Sequence, residues 1–358
     1  MTEELFFDLI RVAIGSQVCL SHSPSADEWG KLYDMAKKQS LVGVCFAGVH
    51  KLVAQEQEPP EMLYLTWMGM AAKIQQRNEV VNRQCAELQE KLSADGVKGC
   101  ILKGQSVAKY YGELATLRQS GDIDVWIDGD RKKAIDYVQK VAPTNEIRWL
   151  HAHLNVFQDT DVEVHFFPTY MKCPTSDKAI QSFFDKERDD CFAYGVATQK
   201  MNEVFILAHA YRHLTNEGVG LRQLMDYYFV LAQRSKLNIS EKLNRIEFEK
   251  LMRNLGMWRF AKGVMWILYN IFGLPMDCLL CDVCENDGKF LLAEIMQSGN
   301  FGHYDTRNVH DTNESALHRF WRLNTGSFRI FAFAYKEVLW APAWRIKHWM
   351  WRKTNGYK

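Results

Sequence analysis

The sequence predicts an α+β fold, with a small mixed sheet embedded between an N-terminal and a C-terminal helical region. Three stretches of different rhythm predict it. Up to residue 95, apolar side chains recur every three or four positions, the period of helices with one buried face. From 97 to 167 they alternate with polar ones, the period of half-buried strands. From about 175 the helical period returns. The expected organisation is a helical region over 1–95, an α/β core over 96–170 and a second helical region over 171–358.

The elements follow in order. EELFFDLIRVAI, ADEWGKLYDMAKKQSLVGVCFAGVHKL and PEMLYLTWMGMAAKIQQRNEVVNRQCAELQEKL read as three helices. Ser25, followed by Asp27 and Glu28, is a suitable start for the second, and Pro59-Pro60 punctuates the way into the third. VKGCILKG (97–104) is a strand ending in glycine, and QSVAKYYG (105–112) a short helix stopped by Gly112. DIDVWID (122–128) alternates as a strand, and RKKAIDYVQKVA is an amphipathic helix closed by Pro143. HLNVFQ and VEVHFF flank Asp-Thr-Asp as a hairpin. ESALHRFWRLNTGSFRIFAFAYKEVLW continues the helical pattern, interrupted near 324–326.

Composition removes some function classes. With 358 residues and 41.6 kDa, 47% hydrophobic and 24% charged, the chain supports a sizeable core. A net charge of +1, from 44 Lys+Arg against 43 Asp+Glu, gives no global pull toward nucleic acid or anionic lipid. The start, MTEELFFDLIRVAIGS, is acidic where a secretory signal is basic, and no apolar run approaches the roughly eighteen residues of a membrane span. Nine scattered cysteines form no disulfide framework. These features lead to the expectation of a cytoplasmic protein.

The chemistry centres on Asp122 and Asp124. Two apart on a strand, their carboxylates leave one face about 6–7 Å apart, while Ile123, Val125 and Ile127 anchor the other. Such a pair repels itself unless a cation sits between, and Mg²⁺ or Mn²⁺, hard ions that prefer oxygen, suit it. In VEVHF, Glu163 and His165 share a face opposite Val162 and Val164. If this strand lies beside 122–128, Glu163 becomes a third carboxylate, able to complete a site for two metals about 3.5–4 Å apart. Replacing either aspartate by Asn should then remove turnover and, by relieving repulsion, leave the metal-free fold at least as firm. His165 fits either a partner of these carboxylates or a hydrogen-bonding residue at a strand end; both readings stand. Upstream, Gly104 at a strand-to-helix turn lets backbone N–H groups approach a phosphate. Ser106 adds a hydroxyl, and Lys103 and Arg118 add positive charge.

A glycine turn opening a helix, an Asp-x-Asp strand and an acid on a neighbouring strand resemble the polymerase-β-like nucleotidyltransferase superfamily. Within it, LKG, RQSGDIDVWI and VEVHFFP are similar to a group of bacterial nucleotidyltransferase family proteins. LAHAYRH…LRQLMDYY and SGNFGHYD (298–305) extend the similarity to about residues 30–340. The resemblance implies transfer of a nucleoside monophosphate from an NTP to an acceptor hydroxyl, with Mg²⁺ or Mn²⁺ and release of pyrophosphate. It implies Asp122 and Asp124 as metal ligands, Glu163 as a further ligand or base, and Lys103, Gly104, Ser106 and Arg118 as phosphate contacts. The turn here is Gly-Gln-Ser where the superfamily usually has Gly-Gly or Gly-Ser, and the gap from Gly104 to Asp122 is long. The acceptor, whether a sugar, metabolite, RNA end or protein, stays open. A second class also stands: a non-catalytic nucleotide-binding or antitoxin-like regulatory protein.

Other motifs have plainer readings. His209 and His213, four apart on a helix, are expected to hydrogen-bond with the next helix, where Arg222 and Asp226 lie. Cys278, Cys281 and Cys284 are one thiol short of a closed zinc site and read as packing on a helix. The tail from Ser315 is basic and carries Trp321, Trp340, Trp344, Trp349 and Trp351. Packing on the core is expected there, with contact to a membrane or anionic polymer as the alternative.

Overall fold

The computed structural model describes residues 2–307 and 315–357; Glu314, where the sequence reading begins the penultimate helical stretch, lies outside them. The fold is α+β, a four-stranded mixed sheet among helices. The N-terminal helices are α1 (Thr2–Ile14), α2 (Ala26–Lys38), α3 (Val42–Val53) and α4 (Glu61–Ala94). Ser25 caps α2 in a capping box with Glu28. The single helix expected over 26–52 is broken in two, because Ser40 takes a left-handed φ of 54° between α2 and α3.

The sheet comprises β1 (Gly99–Ile101), β2 (Ile123–Ile127), β3 (His151–His153) and β4 (Val162–His165), in the order β1-β2-β4-β3. β1 and β3 are antiparallel to their neighbours, and β2 and β4 are parallel. The helices α5 (Gln105–Ala108) and α6 (Arg131–Val141) lie within this region. A 3₁₀ segment, Lys109–Leu117, follows α5 and runs on past Gly112, whose φ is 58°. Asp130 caps α6 through the Lys133 N–H. The hairpin pairing is present, but its first strand is His151–His153 rather than 153–158. Leu154 still donates to Val162 O, and the polar stretch beyond it then leaves the sheet.

Helices α7 (Pro174–Tyr194), α8 (Gln199–Asn216), α9 (Leu221–Ala232), α10 (Arg245–Leu255), α11 (Trp258–Asn270), α12 (Glu285–Ser298), α13 (Ala316–Gly326) and α14 (Phe331–Asn355) complete the chain. The cysteine run is not on one helix: Cys278 ends a 3₁₀ turn, Cys281 is in a loop and Cys284 stands just before the first residue of α12. Burial pushes the Cys281 thiol up to about 12, so it packs as a neutral group.

Two apolar clusters form the interior. One joins the N-terminal helices to α7–α12; the other lies under the sheet. There Ile123, Val125, Val162 and Val164 meet α6 and the second half of α4, through Val81, Leu88 and Leu92. Alternation along β2 and β4 therefore turns Asp124, Glu163 and His165 to the opposite face.

Candidate active site

Register brings the acids together. Asp124 is paired directly with Glu163 across the parallel strands. Asp122, Asp124 and Glu163 each offer a carboxylate oxygen, and these lie within 4.8 Å of one another. Asp124 is buried, whereas Asp122, at the strand entrance, is partly exposed.

Cationic side chains already face these acids. Lys103 Nζ lies 2.9 Å from Asp124 Oδ1, and His165 Nε2 lies 2.8 Å from the same oxygen and 3.4 Å from Glu163 Oε2. Lys103 is aimed there by an unusual turn: Leu102 N–H bonds Asp124 O, and Lys103 and Gly104 then take φ of 22° and 48°. Residues with side chains rarely hold such angles, so the turn carries backbone strain. An added Cβ at Gly104 would touch only Asp122 O, at 3.8 Å. Glycine there serves the turn's conformation rather than relief of crowding.

The titrations reflect this charge pattern. Repulsion from Asp124 pushes the Asp122 carboxyl up, against Lys103. Burial would raise Asp124, but Lys103 and His165 hold it below its ordinary value. Glu163, also raised by burial, is brought well down by the His151 and His165 imidazoles beside it. Burial lowers His165, and Asp124 and Glu163 more than reverse this. The expectation that either Asn variant would firm the metal-free fold is therefore restricted to Asp122, because Asp124 is the counter-ion of Lys103 and His165.

His151 was missed in the sequence. Its Nδ1 lies 3.0 Å from Glu163 Oε2, and His151, Glu163 and His165 form a second group of possible metal ligands. His153 stands beside it, its ring centroid 5.1 Å from that of His151. The signal was His-Ala-His at 151–153, which places both imidazoles on one strand face once the strand is moved upstream.

The remaining residues are placed as follows. Ser106 is buried, its hydroxyl without a partner. Arg118 is buried and engaged by Asp226 through Nε and Nη2, each at 2.7 Å, with only Nη1 unbonded. Tyr111 donates to the same aspartate, and Arg222 bonds Gln119 O. His209 and His213 consequently do not reach the next helix. Their Nε2 atoms bond each other at 2.9 Å, and His213 Nδ1 meets Glu217. Burial pushes His213 down to about 4 and His209 well below its ordinary value, so both are neutral in the fold. In the unfolded chain they protonate near 6.5. Stability should thus fall as pH drops below about 6.5, by up to about 1.4 kcal/mol per pH unit for each. Urea unfolding between about pH 6.5 and 5 should show this slope, and His213→Gln should reduce it.

The aromatic tail packs partly inward. Trp149 meets Trp344 and Trp351 edge-on, Tyr170 stacks on Trp344 at 5.1 Å, and the Arg131 guanidinium lies 4.6 Å from Trp149 and 5.3 Å from Trp351. Trp321, Trp340 and Trp349 are exposed. No helix among the described residues is long and apolar enough to cross a membrane.

A family described as uncharacterised nucleotidyltransferase matches residues 25–273, which hold the whole sheet and every acid of the site. The chain belongs to this family. No curated protein and no solved structure matches it. As a member of this nucleotidyltransferase family, the protein is an enzyme of nucleotidyl transfer. The oxygen-rich set of Asp122, Asp124 and Glu163, with Asp122 left under repulsion, suits a hard divalent cation.

Proposed function

We propose that the enzyme transfers a nucleoside monophosphate from an NTP to an acceptor hydroxyl, dependent on Mg²⁺ or Mn²⁺. The acceptor oxygen forms a bond to the α-phosphorus, the α–β phosphoanhydride bond breaks, pyrophosphate leaves, and the hydroxyl proton passes to solvent. The observation that carries this reading is the convergence of three carboxylates on one sheet face. Asp122 and Asp124 are the ligands, and Glu163 completes the set. When bound, the cation supplies charge neutralisation of the triphosphate and activation of the attacking hydroxyl. Glu163, held as an anion by two histidines, suits a ligand better than a base. Lys103, paired with Asp124 here, would be free to offer its charge to the phosphates once a cation neutralised that carboxylate. Gly104 and Ser106 supply the backbone approach and a free hydroxyl at the turn.

The internal neutralisation of Asp124 by Lys103 and His165 is what favours the second reading, a non-catalytic nucleotide-binding protein. An NTP labelled at the α-phosphate, incubated with the protein, Mg²⁺ and a fractionated cell extract, separates the two. Label should appear in an acceptor with matching pyrophosphate, and a chelator should abolish it. NTP with Mg²⁺ at a hundred times its dissociation constant should also add about 2.7 kcal/mol of stability, and NTP with chelator little. Stabilisation without transfer into any fraction would support the binding protein.

A further inference from the structure

A cavity of about 720 Å³ opens between the end of α8, the 298–305 segment and the α13–α14 joint. Its inner wall is built unusually. Residues 217–220 and 299–302 lie backbone against backbone. A Cβ on Gly302 would strike Glu217 O, one on Gly218 would come within 2.9 Å of Gly302 N, and one on Gly220 within 2.8 Å of Asn300 Cα. Only glycine allows such an approach. This wedge holds Phe301 at φ 53°, a strained angle for an aromatic residue, of the kind that clusters at ligand sites. The Phe301 ring lines the cavity, 4.8 Å from the His213 ring and 5.4 Å from the Arg222 guanidinium. Arg222 in turn donates to Gln119 O, three residues ahead of Asp122, and His213 is bonded to His209. The cavity wall thus touches side chains that hold the segment leading into the carboxylate strand.

The charge of the cavity is not balanced. Its acids are engaged: Glu294 by Arg307 and Arg329, Asp305 by Arg307, and Glu217 by His213. Arg319 and Arg345, which also line it, have no carboxylate partner among the described residues. Arg345 is half-buried and donates only to Asn324 Oδ1 and Leu323 O. A half-buried guanidinium with neutral partners is a vacant half of a charge-assisted pair.

We propose that this cavity binds the acceptor substrate through an anionic group, so that the enzyme nucleotidylates a small phosphorylated or carboxylated molecule. Arg345 and Arg319 hold the anion, and the apolar wall of Phe301, Leu323 and Ile330 receives the body of the acceptor. The acceptor role rests on the nucleotidyl-transfer reading; the anion site does not. Calorimetric titration of the full chain, without NTP or metal, tests it with inorganic phosphate, glucose 1-phosphate and glucuronate. Phosphate and glucose 1-phosphate binding points to a phosphorylated acceptor, and glucuronate binding alone to a carboxylated one. Either should weaken at least tenfold in Arg345→Ala and in Arg319→Ala, the latter an exposed position whose loss leaves the fold undisturbed. Asp122→Asn should leave binding unchanged. Absence of binding by all three probes, or equal binding by both arginine variants, overturns the proposal even if labelled transfer is observed. Anion binding lost in the arginine variants, together with no transfer by the native enzyme, would sustain the site and remove the catalytic reading.

Discussion

Asp124→Asn should lower nucleotidyl transfer by roughly 10²–10³-fold or more, the usual loss when one preorganised charge contact in a phosphoryl or acyl site is removed. Asp122→Asn should match it, since both are placed as cation ligands. Stability should separate them. Asp124 is the buried counter-ion of Lys103 and His165, so its loss leaves Lys103 without its ion pair and His165 with Glu163 alone. Breaking a buried pair from one side costs about 3–5 kcal/mol, and Asn, which keeps an acceptor oxygen, should fall toward the lower end. Asp122 is repelled by Asp124 and contributes no such pairing, so Asp122→Asn should be neutral or stabilising in metal-free protein. Urea unfolding with chelator measures both. Equal destabilisation by the two variants would mean that the charges are not divided as described, and full turnover by either would remove that residue from the mechanism.

Asp226→Ala should cost about 3–5 kcal/mol, because it leaves the buried Arg118 guanidinium without a counter-charge and Tyr111 without an acceptor. The pair does more than fill space. Arg118 stands just ahead of the Gly-Asp-Ile-Asp strand, and Asn78 Nδ2 on α4 donates to its carbonyl and to that of Thr116. Asp226 therefore fixes where β2 begins, and its loss should lower the melting temperature while changing NTP affinity little at a permissive temperature. If affinity falls and stability does not, Arg118 belongs among the phosphate contacts and its bond to Asp226 is incidental.

How far the sequence could be read follows from the range of each interaction. The change of period marked the sheet, because alternation is local to each strand. The shared face of Asp122 and Asp124, and of Glu163 and His165, needed only the two-residue repeat. That Glu163 lies beside Asp124 was a conditional inference, since pairing joins segments almost forty residues apart. What was illegible depended on tertiary neighbours. Nothing local says that Lys103 turns back onto Asp124, or that Arg118 finds Asp226 rather than facing outward. The break at Ser40 was hidden because apolar residues keep helical spacing on both sides of it. His151 escaped notice because the first hairpin strand was read two residues late, at His153 rather than His151.

The 34 residues of α4 make an unbroken rod about 50 Å long. Its first half enters the helical interior at Trp67, and its second half forms the floor of the sheet at Val81, Leu88 and Leu92. A fragment beginning at residue 96 would keep every acid of the site and lose that floor. Changes that loosen the packing at Trp67 should therefore be felt, along one element, at the strands that align the carboxylates. Residues such as Trp67 and Leu88, which carry no chemistry, thereby belong to the support of the carboxylates as much as the strands do.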